Sequence, residues 1–259
     1  MPLYDDWCVS AKQADKKKTY WLLTEKDGGR DRVASELGLT VRDHYDDAAR
    51  IADDVARLGY DAASTILRKR LPSRRRARSG DLGEILASEF VEEHLGFRVP
   101  VRRLRYKDGR EMAMRGDDFI GVGFDEDEKL WLLKGEAKSA AKLGKAPIAD
   151  AREALDRHHG RCTPDSLIFV ADRLLESKDP DDVELGRTIR DECGLDNLKP
   201  RRIDHMLFTL SGNAPPSAQK EDLDASSGDR RQHSINLRIE DHQAFIEAIY
   251  AEALTLGDY

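Results

Sequence analysis

The sequence predicts a mixed α/β (α+β) protein whose central part runs helix, strand, strand, strand, helix, strand. Two observations predict this class: several segments carry apolar residues at helical spacing, and others are compact apolar runs of strand length. Apolar residues make up 39% of the chain, which is enough for a core. We expect an N-terminal α/β lobe over 1–79, the central core over 80–175 and a C-terminal α/β extension over 176–259.

Composition argues against a membrane protein and against a disulfide-stabilised secreted protein. The 43 Lys and Arg against 50 Asp and Glu give a net charge of −7, and no apolar run approaches the ~18 residues of a membrane span. The first residues, MPLYDDWCVS, lack the basic-then-apolar pattern of a secretory signal. We therefore expect a cytoplasmic protein whose three cysteines, Cys8, Cys162 and Cys193, are reduced thiols.

The N-terminal lobe begins with an apolar run, TYWLLT at 19–24, which predicts a strand. Residues 43–67 predict a helix, because Ile51, Val55 and Leu58 share one helical face. The lobe ends in a basic run at 68–78.

The central core follows with the most regular patterns. We predict, in order, helix 81–95, strand 97–106, a hairpin of strands 119–124 and 129–133, helix 146–160 and the short buried strand 166–171. The first helix stops at Gly96. The hairpin turns at the polar DEDE, and its second strand continues into GEAKS.

The C-terminal extension contains alternating elements around a polar segment. We predict helix 181–193, strand 206–210, a flexible linker over 211–232, strand 234–239 and a closing helix over 241–254. The linker prediction rests on its Ser, Gly, Pro, Asp and Lys content and its lack of large apolar residues.

Two basic clusters bracket the first core helix. RKRLPSRRRAR at 68–78 has seven basic residues in eleven, and 98–110 has six basic residues and one Asp. Charge runs also form ordinary solvated faces, but two clusters around one helix favour a surface that contacts phosphates. The candidate nucleic-acid contacts are Arg74, Arg75, Arg76, Arg102, Arg103 and Arg105.

One of four (Asp/Glu)-x-Lys patterns follows directly on an apolar strand: Glu136-Ala137-Lys138 after KLWLL. In an antiparallel hairpin the numbers of facing residues sum to a constant, here 253 or 254, so Glu136 faces Asp117 or Asp118. The two-residue period of a strand puts Glu136 and Lys138 on the same face. An Asp, a Glu and a Lys are therefore expected to converge.

Neighbouring carboxylates repel each other unless a cation lies between them, and oxygen ligands favour Mg²⁺ or Mn²⁺. A metal cation beside a lysine is the combination that an enzyme needs to hydrolyse the phosphodiester bonds of DNA or RNA. The alternative is a structural Glu-Lys pair at a strand end. Glu84 is a third candidate carboxylate. It is either an acid that caps the first core helix or a further metal ligand. Gly83 beside it would let another backbone segment approach the helix closely.

The run GDDFIGVGFDEDEKLWLLKGEAKSA resembles the core of the PD-(D/E)xK nuclease superfamily, which has a restriction-endonuclease-like fold. In that superfamily an Asp precedes one apolar strand and Glu-x-Lys ends the next. The pattern Gly116-Asp117-Asp118 is similar to that of archaeal-type Holliday junction resolvases, which implies Asp118 as the ligand. Their first-helix Glu corresponds to Glu84.

The segments GEILASEFVEEHLGF, RGDDFIGV and KGEAKS more closely resemble the nuclease subunits of bacterial Hachiman anti-phage systems and the related Abp defence protein, over about residues 80–175. This resemblance implies a Mg²⁺- or Mn²⁺-dependent DNA endonuclease of little sequence preference. It further implies metal ligands Glu84, Asp118 and Glu136, with Lys138 as the catalytic cation. A superfamily 2 helicase partner would hold the nuclease inactive until it meets aberrant DNA ends.

Two other functions remain open on the sequence. A nuclease-fold subunit could serve only as a binding or regulatory module of a helicase complex, although a purely structural module has no reason to keep like charges together. An RNA-directed nuclease would use every one of the same site residues.

Overall fold

The computed structural model describes residues 2–195, 198–214 and 217–255. Its helices are α1 (Leu3–Trp7), α2 (Gly29–Tyr45), α3 (Ala48–Leu58), α4 (Tyr60–Arg70), α5 (Arg75–Phe90), α6 (Lys145–Asp156), α7 (Pro164–Leu175), α8 (Pro180–Leu195), α9 (Ser217–Ala225) and α10 (His242–Leu254). Its strands are β1 (Cys8–Asp15), β2 (Lys18–Glu25), β3 (Phe119–Phe124), β4 (Leu130–Ala140), β5 (Ile203–Ser211) and β6 (Gln232–Arg238). The α/β class is confirmed.

All six strands form one sheet, in the order β1-β2-β6-β5-β4-β3. The central strands β2, β6, β5 and β4 are parallel, and the outer strands β1 and β3 pair antiparallel with their neighbours. The sheet therefore takes strands from each of the three predicted parts of the chain, and the expected boundary at 79/80 falls inside α5.

Helices cover both faces of the sheet, so the parallel strands are buried on both sides as such strands require. On one face α5 and α10 pack on the sheet through side chains such as Leu86, Phe90 and Phe245. On the other face Val170 of α7 and Ile189 of α8 lie in a second apolar cluster with residues of β3 and β4. In the described part of the chain, no helix combines the length and apolarity needed to cross a membrane.

Most of the predicted elements are confirmed, including the hairpin of β3 and β4. Its register pairs Phe119 with Gly135 and Phe124 with Leu130, so facing residue numbers sum to 254, one of the two predicted values. This register places Asp118, one residue before β3, opposite Glu136.

The first core helix begins earlier than predicted. Residue Arg75 opens α5, so the basic residues Arg75 to Arg78 form its first turn instead of ending a separate lobe. The helix continues past Phe90 as one π-helical turn, Val91–Leu95, and Gly96 ends it with a φ of 71°. This left-handed conformation is one that glycine adopts without steric cost.

The predicted strand over 97–106 is wrong. Only Arg98 makes a strand-like bridge, to Val122 of β3, and Arg103–Tyr106 form a 3₁₀ turn. Pro100 has no N–H for a ladder, and the N–H of Val99 donates to the Glu92 carboxylate, so the backbone has other partners. The alternation of apolar and basic residues that suggested a strand arises because Val99 and Val101 are buried in a segment of irregular backbone.

The predicted buried strand over 166–171 is also wrong, because these residues belong to α7. Pro164 occupies the first turn of this helix, a position that proline favours. Ser166, Val170 and Leu174 are buried at intervals of four, which is a helical face. The predicted core order therefore fails at two strands, and β5 is the strand that lies parallel beside β4.

Two further boundaries differ from the predictions. The helix expected over 43–67 is divided among α2, α3 and α4, because Asp47 caps α3 and Gly59, with a φ of 81°, ends it. The predicted linker over 211–232 contains α9, whose Leu223 is buried. Residues 215–216 of that linker lie outside the described residues.

Glycine at position 135 is required by the ring of Phe119, which lies across the strand from it. A Cβ at this position would lie 2.0 Å from the Phe119 Cζ atom, and Phe119 is itself buried in the core. We expect Gly135→Ala to destabilise the protein by about 1–3 kcal/mol, the usual cost of overpacking, as measured by urea denaturation. Gly144→Ala is the matched control, since a Cβ there meets nothing within 4 Å. Equal stability of the two variants would contradict the packing described here.

Candidate metal centre

The hairpin brings two predicted carboxylates together. Glu136 lies in β4 and is buried, whereas Asp118 precedes β3 and is partly exposed. The backbone N–H of Ala137 donates to Asp118 Oδ2 at 2.8 Å, which fixes the Asp118 side chain against β4. The hairpin register puts Asp118 opposite Glu136, close enough for the Asp118 charge to raise the pKa of Glu136.

Lys138 and Glu84 complete the group. The Lys138 ammonium donates to Glu136 Oε2 at 3.2 Å, and its side chain is partly exposed. Glu84 reaches the site from α5 and lies close enough to Asp118 for their charges to repel. Helix and strand approach closely because of Gly83, where a Cβ would lie 3.3 Å from the Ser139 Cβ. All four predicted site residues are therefore neighbours.

The electrostatics of the group favour a bound cation. Burial, followed by repulsion from Asp118, raises the pKa of Glu84 and also that of Glu136. Burial raises the pKa of Asp118 as well, against the opposing effect of Lys138. All three pKa values stay raised although Lys138, Arg103 and Lys107 oppose the rise, so the carboxylates together favour a further cation.

Asp117 and Asp118 have different environments. The facing residue numbers of the hairpin had left open which of the two lies beside Glu136. Asp117 is fully buried, and its Oδ2 accepts hydrogen bonds from the backbone N–H and the hydroxyl of Thr163 at 2.7 and 3.2 Å. Its Oδ1 lies 3.5 Å from the Nζ of the buried Lys134. Asp117 thus ties β3 to the start of α7, and Asp118 is the residue that lies beside Glu136.

Several neighbours of the group were not predicted as site residues. The Lys107 side chain is 4% exposed, and its ammonium donates to both carboxylate oxygens of Asp81, at 2.9 and 2.7 Å. Asp81 precedes Glu84 by about one turn of α5. Tyr45 also donates to Asp81. Lys107 lies in an irregular segment without periodicity, so the sequence held no signal that would pair it with α5.

A second unpredicted contact fixes the end of β4. The Ser139 hydroxyl lies 2.8 Å from that of Ser79 in α5 and 3.0 Å from Nε2 of His242 in α10. These hydrogen bonds join the two helices to the strand one residue beyond Lys138. The start of α5, with its exposed arginines, is therefore held beside the candidate metal centre.

The six arginines predicted to contact nucleic acid fall into two groups. Arg74, Arg75 and Arg76 are exposed at the start of α5, although Arg75 also pairs with Glu247 at 2.9 Å. The other three have protein partners: Arg102 pairs with Glu89 and Glu92, Arg103 donates to the Arg115 carbonyl and Arg105 pairs with Asp43. Only the first group presents exposed guanidinium groups to a phosphate backbone.

The donor set fits a hard divalent cation such as Mg²⁺ or Mn²⁺, because Glu84, Asp118 and Glu136 offer carboxylate oxygens alone. Within the described residues, their ligand atoms are not all within 4.8 Å of one another. Binding one ion through all three would therefore need a rotamer change or bridging waters.

A separate trio, Asp5, Glu93 and His94, does have ligand atoms within 4.8 Å of one another. The Glu93 carboxylate already accepts the N–H groups of Tyr4 and Asp5, so its role is to satisfy the start of α1.

Comparison with known proteins assigns the family. A family model described as HamA matches residues 1–253. The chain belongs to the HamA family. A curated relative, the Hachiman protein HamA of Bacillus cereus, is 31% identical over 192 residues, which cover 73% of this chain and 66% of that protein. The aligned region thus spans slightly less than two thirds of the relative. This HamA-family chain is accordingly a homologue of a Hachiman protein, as the resemblance of its central segments predicted.

Proposed function

We propose that this HamA-family protein is a Mg²⁺- or Mn²⁺-dependent DNA endonuclease of little sequence preference. It would act in the cytoplasm as the effector of a bacterial anti-phage defence system. The observation that carries the proposal is the convergence of Glu84, Asp118, Glu136 and Lys138 at the junction of α5 and the hairpin. The antiparallel β3 and β4, with β5 parallel to β4, support a PD-(D/E)xK core around them.

Glu84, Asp118 and Glu136 would hold the cation. When bound, it would neutralise charge on the phosphodiester and lower the pKa of a water molecule. The Ala137 N–H fixes one oxygen of Asp118, so that carboxylate is oriented before a ligand arrives. Lys138 approaches from the partly exposed side of the site, where its ammonium stabilises charge that develops on the phosphate.

The substrate backbone would lie along the start of α5. Arg74, Arg75 and Arg76 are exposed there, and the first N–H groups of a helix favour an anion. A protein that contacts only phosphates does not distinguish between bases, so such an enzyme would cut DNA with little sequence preference. The helicase partner rests on the Hachiman resemblance and on family membership.

The proposal is tested by incubating the purified chain with linear DNA, supercoiled DNA and RNA, each with Mg²⁺, Mn²⁺ or a chelator. We expect metal-dependent cleavage of DNA that Lys138→Ala abolishes while the melting temperature is maintained. Cleavage of RNA alone would replace the proposal with an RNA-directed nuclease. No cleavage, even with a Hachiman helicase partner and ATP added, would favour the binding or regulatory module.

A further inference from the structure

An exposed aromatic ring lies beside the candidate metal centre without a role in the proposal above. Tyr106 ends the 3₁₀ turn that follows α5, and 41% of its surface is exposed. Its ring meets that of Phe169 in α7 edge to face, with centroids 5.5 Å apart. A large ring that remains partly open to solvent while a neighbouring ring holds it in place can present aromatic surface to a ligand.

Two arginines frame this pair of rings. The Arg173 guanidinium lies 5.4 Å from the centre of the Tyr106 ring and 5.9 Å from that of Phe169. The Arg103 guanidinium lies 5.7 Å from the Phe169 ring. Each guanidinium also has a polar partner: Arg103 donates through Nη2 to the Arg115 carbonyl at 2.6 Å, and Arg173 pairs with Glu176 at 2.9 Å. These contacts hold both groups against the rings, where cation–π attraction adds to them.

Arg103 also connects the rings to the carboxylates. Burial raises the pKa of Glu84 and of Asp118, and the Arg103 charge opposes that rise at both. Geometry points the same way: Lys107, the residue after Tyr106, donates to the Asp81 carboxylate at 2.9 and 2.7 Å, and Asp81 precedes Glu84 by about one turn of α5. The aromatic pair is therefore joined to α5 close to the proposed cation ligands.

We propose that Tyr106, supported by Phe169 and Arg173, stacks on an unpaired nucleobase next to the phosphate that is cut, so that the preferred substrate is single-stranded or frayed DNA. In an intact duplex both faces of a base are covered by its neighbours, and a protein ring reaches a base face only where pairing has ended. Every base has such a face, so this contact is compatible with little sequence preference. The inference rests on the proposed nuclease function.

The first test measures binding without cleavage, using the wild-type chain with Ca²⁺ in place of Mg²⁺. The probes are a single-stranded oligonucleotide carrying one 2-aminopurine and a blunt duplex of the same sequence. We expect Tyr106→Leu, which keeps apolar packing but removes the ring, to weaken single-strand binding about tenfold and to lose the quenching of 2-aminopurine. Duplex binding should remain within twofold, and Tyr106→Phe should retain the wild-type behaviour.

The matched control is Tyr60→Leu, because Tyr60 is 56% exposed at the opposite end of α4 from the basic run. It should change neither binding nor quenching. Equal effects of Tyr106→Leu on both probes, or no effect on either, would overturn the inference.

A cleavage assay on the same substrates with Mg²⁺ separates the two proposals. Wild-type cleavage of single strands and duplex at equal rates, both unaffected by Tyr106→Leu, would reject base stacking and leave the nuclease intact. Tyr106-dependent binding of single strands without cleavage of any DNA, even with a Hachiman helicase partner and ATP added, would retain the stacking surface and reject the nuclease.

Discussion

Replacing Glu136 by Gln should abolish cleavage and, in the presence of chelator, raise the melting temperature. Glu136 is buried beside Asp118, so without a cation the two ionised carboxylates would repel each other, and the raised pKa of Glu136 reflects the cost of bringing those charges together. Glutamine keeps the shape and removes one of those charges. The loss of even an outer partner of a metal ligand costs about 10–100-fold in affinity or activity, so loss of the ligand itself should exceed about a hundredfold.

The sign of the pH dependence follows from the raised pKa of Glu136, which burial causes first and Asp118 second. Because its folded-state pKa lies above the unfolded value, the contribution of Glu136 to wild-type stability is greatest at low pH and falls as the pH rises towards the folded pKa. The stability advantage of Glu136→Gln should therefore be larger at pH 8 than at pH 5. Thermal denaturation at both values checks this, with Mn²⁺ added in a parallel series. A Mn²⁺-induced rise in melting temperature that persists in Glu136→Gln would contradict its role as a ligand.

The largest expected loss of stability belongs to Lys134, a residue outside the candidate site. Its side chain is fully buried in β4, and its ammonium donates to the carbonyls of Leu155 and Arg157 at 3.0 and 3.2 Å. It also lies 3.5 Å from Asp117. Lys134 thus joins the end of α6 to the base of the hairpin through one buried cation.

Lys134→Met should cost about 3–5 kcal/mol, because it leaves a buried carboxylate and two carbonyls without this partner. Urea denaturation measures the change. Lys129→Met is the control, since Lys129 forms only an exposed pair with Asp127 at the hairpin turn, for which 0–1 kcal/mol is typical. A loss below about 1 kcal/mol in Lys134→Met would show that the buried cation is not a structural anchor.

The sequence was sufficient to predict the hairpin and the grouping of the candidate site residues on it. The DEDE turn defines the centre of the hairpin, and a strand period of two then places Glu136 and Lys138 on one face, opposite Asp117 or Asp118. The observed register selects Asp118. Gly83 likewise indicated a close backbone approach to the first core helix, and β4 is the strand that makes it. The hairpin features depend on residues near one another in the chain.

The errors arose where distant contacts override a local pattern. The apolar run at 166–171 suits a strand or a helix, and Pro164 together with burial against α8 decides for the helix. The segment 97–106 loses its strand because Glu92 takes the N–H of Val99. Partners such as Asp43 for Arg105 come from remote segments, so the sequence could not show that this arginine is already paired.

The adjacent residues Asp117 and Asp118 allow the most direct test of the proposed metal centre. Asp118 lies beside Glu136, whereas Asp117 points away to Thr163 and Lys134. Asp118→Asn and Asp117→Asn keep the shape of the side chain and remove one charge each. Asp118→Asn removes it beside Glu136, and Asp117→Asn removes it beside Thr163 and Lys134. Both should be compared with wild type in single-turnover cleavage of linear DNA with Mg²⁺, below the melting temperature of each variant.

We expect Asp118→Asn to lose more than about a hundredfold in cleavage rate with its fold intact. Asp117→Asn should melt at a lower temperature yet cut DNA within a few-fold of wild type. An active Asp118→Asn, or a folded Asp117→Asn that has lost cleavage while Asp118→Asn retains it, would contradict the placement of the metal centre.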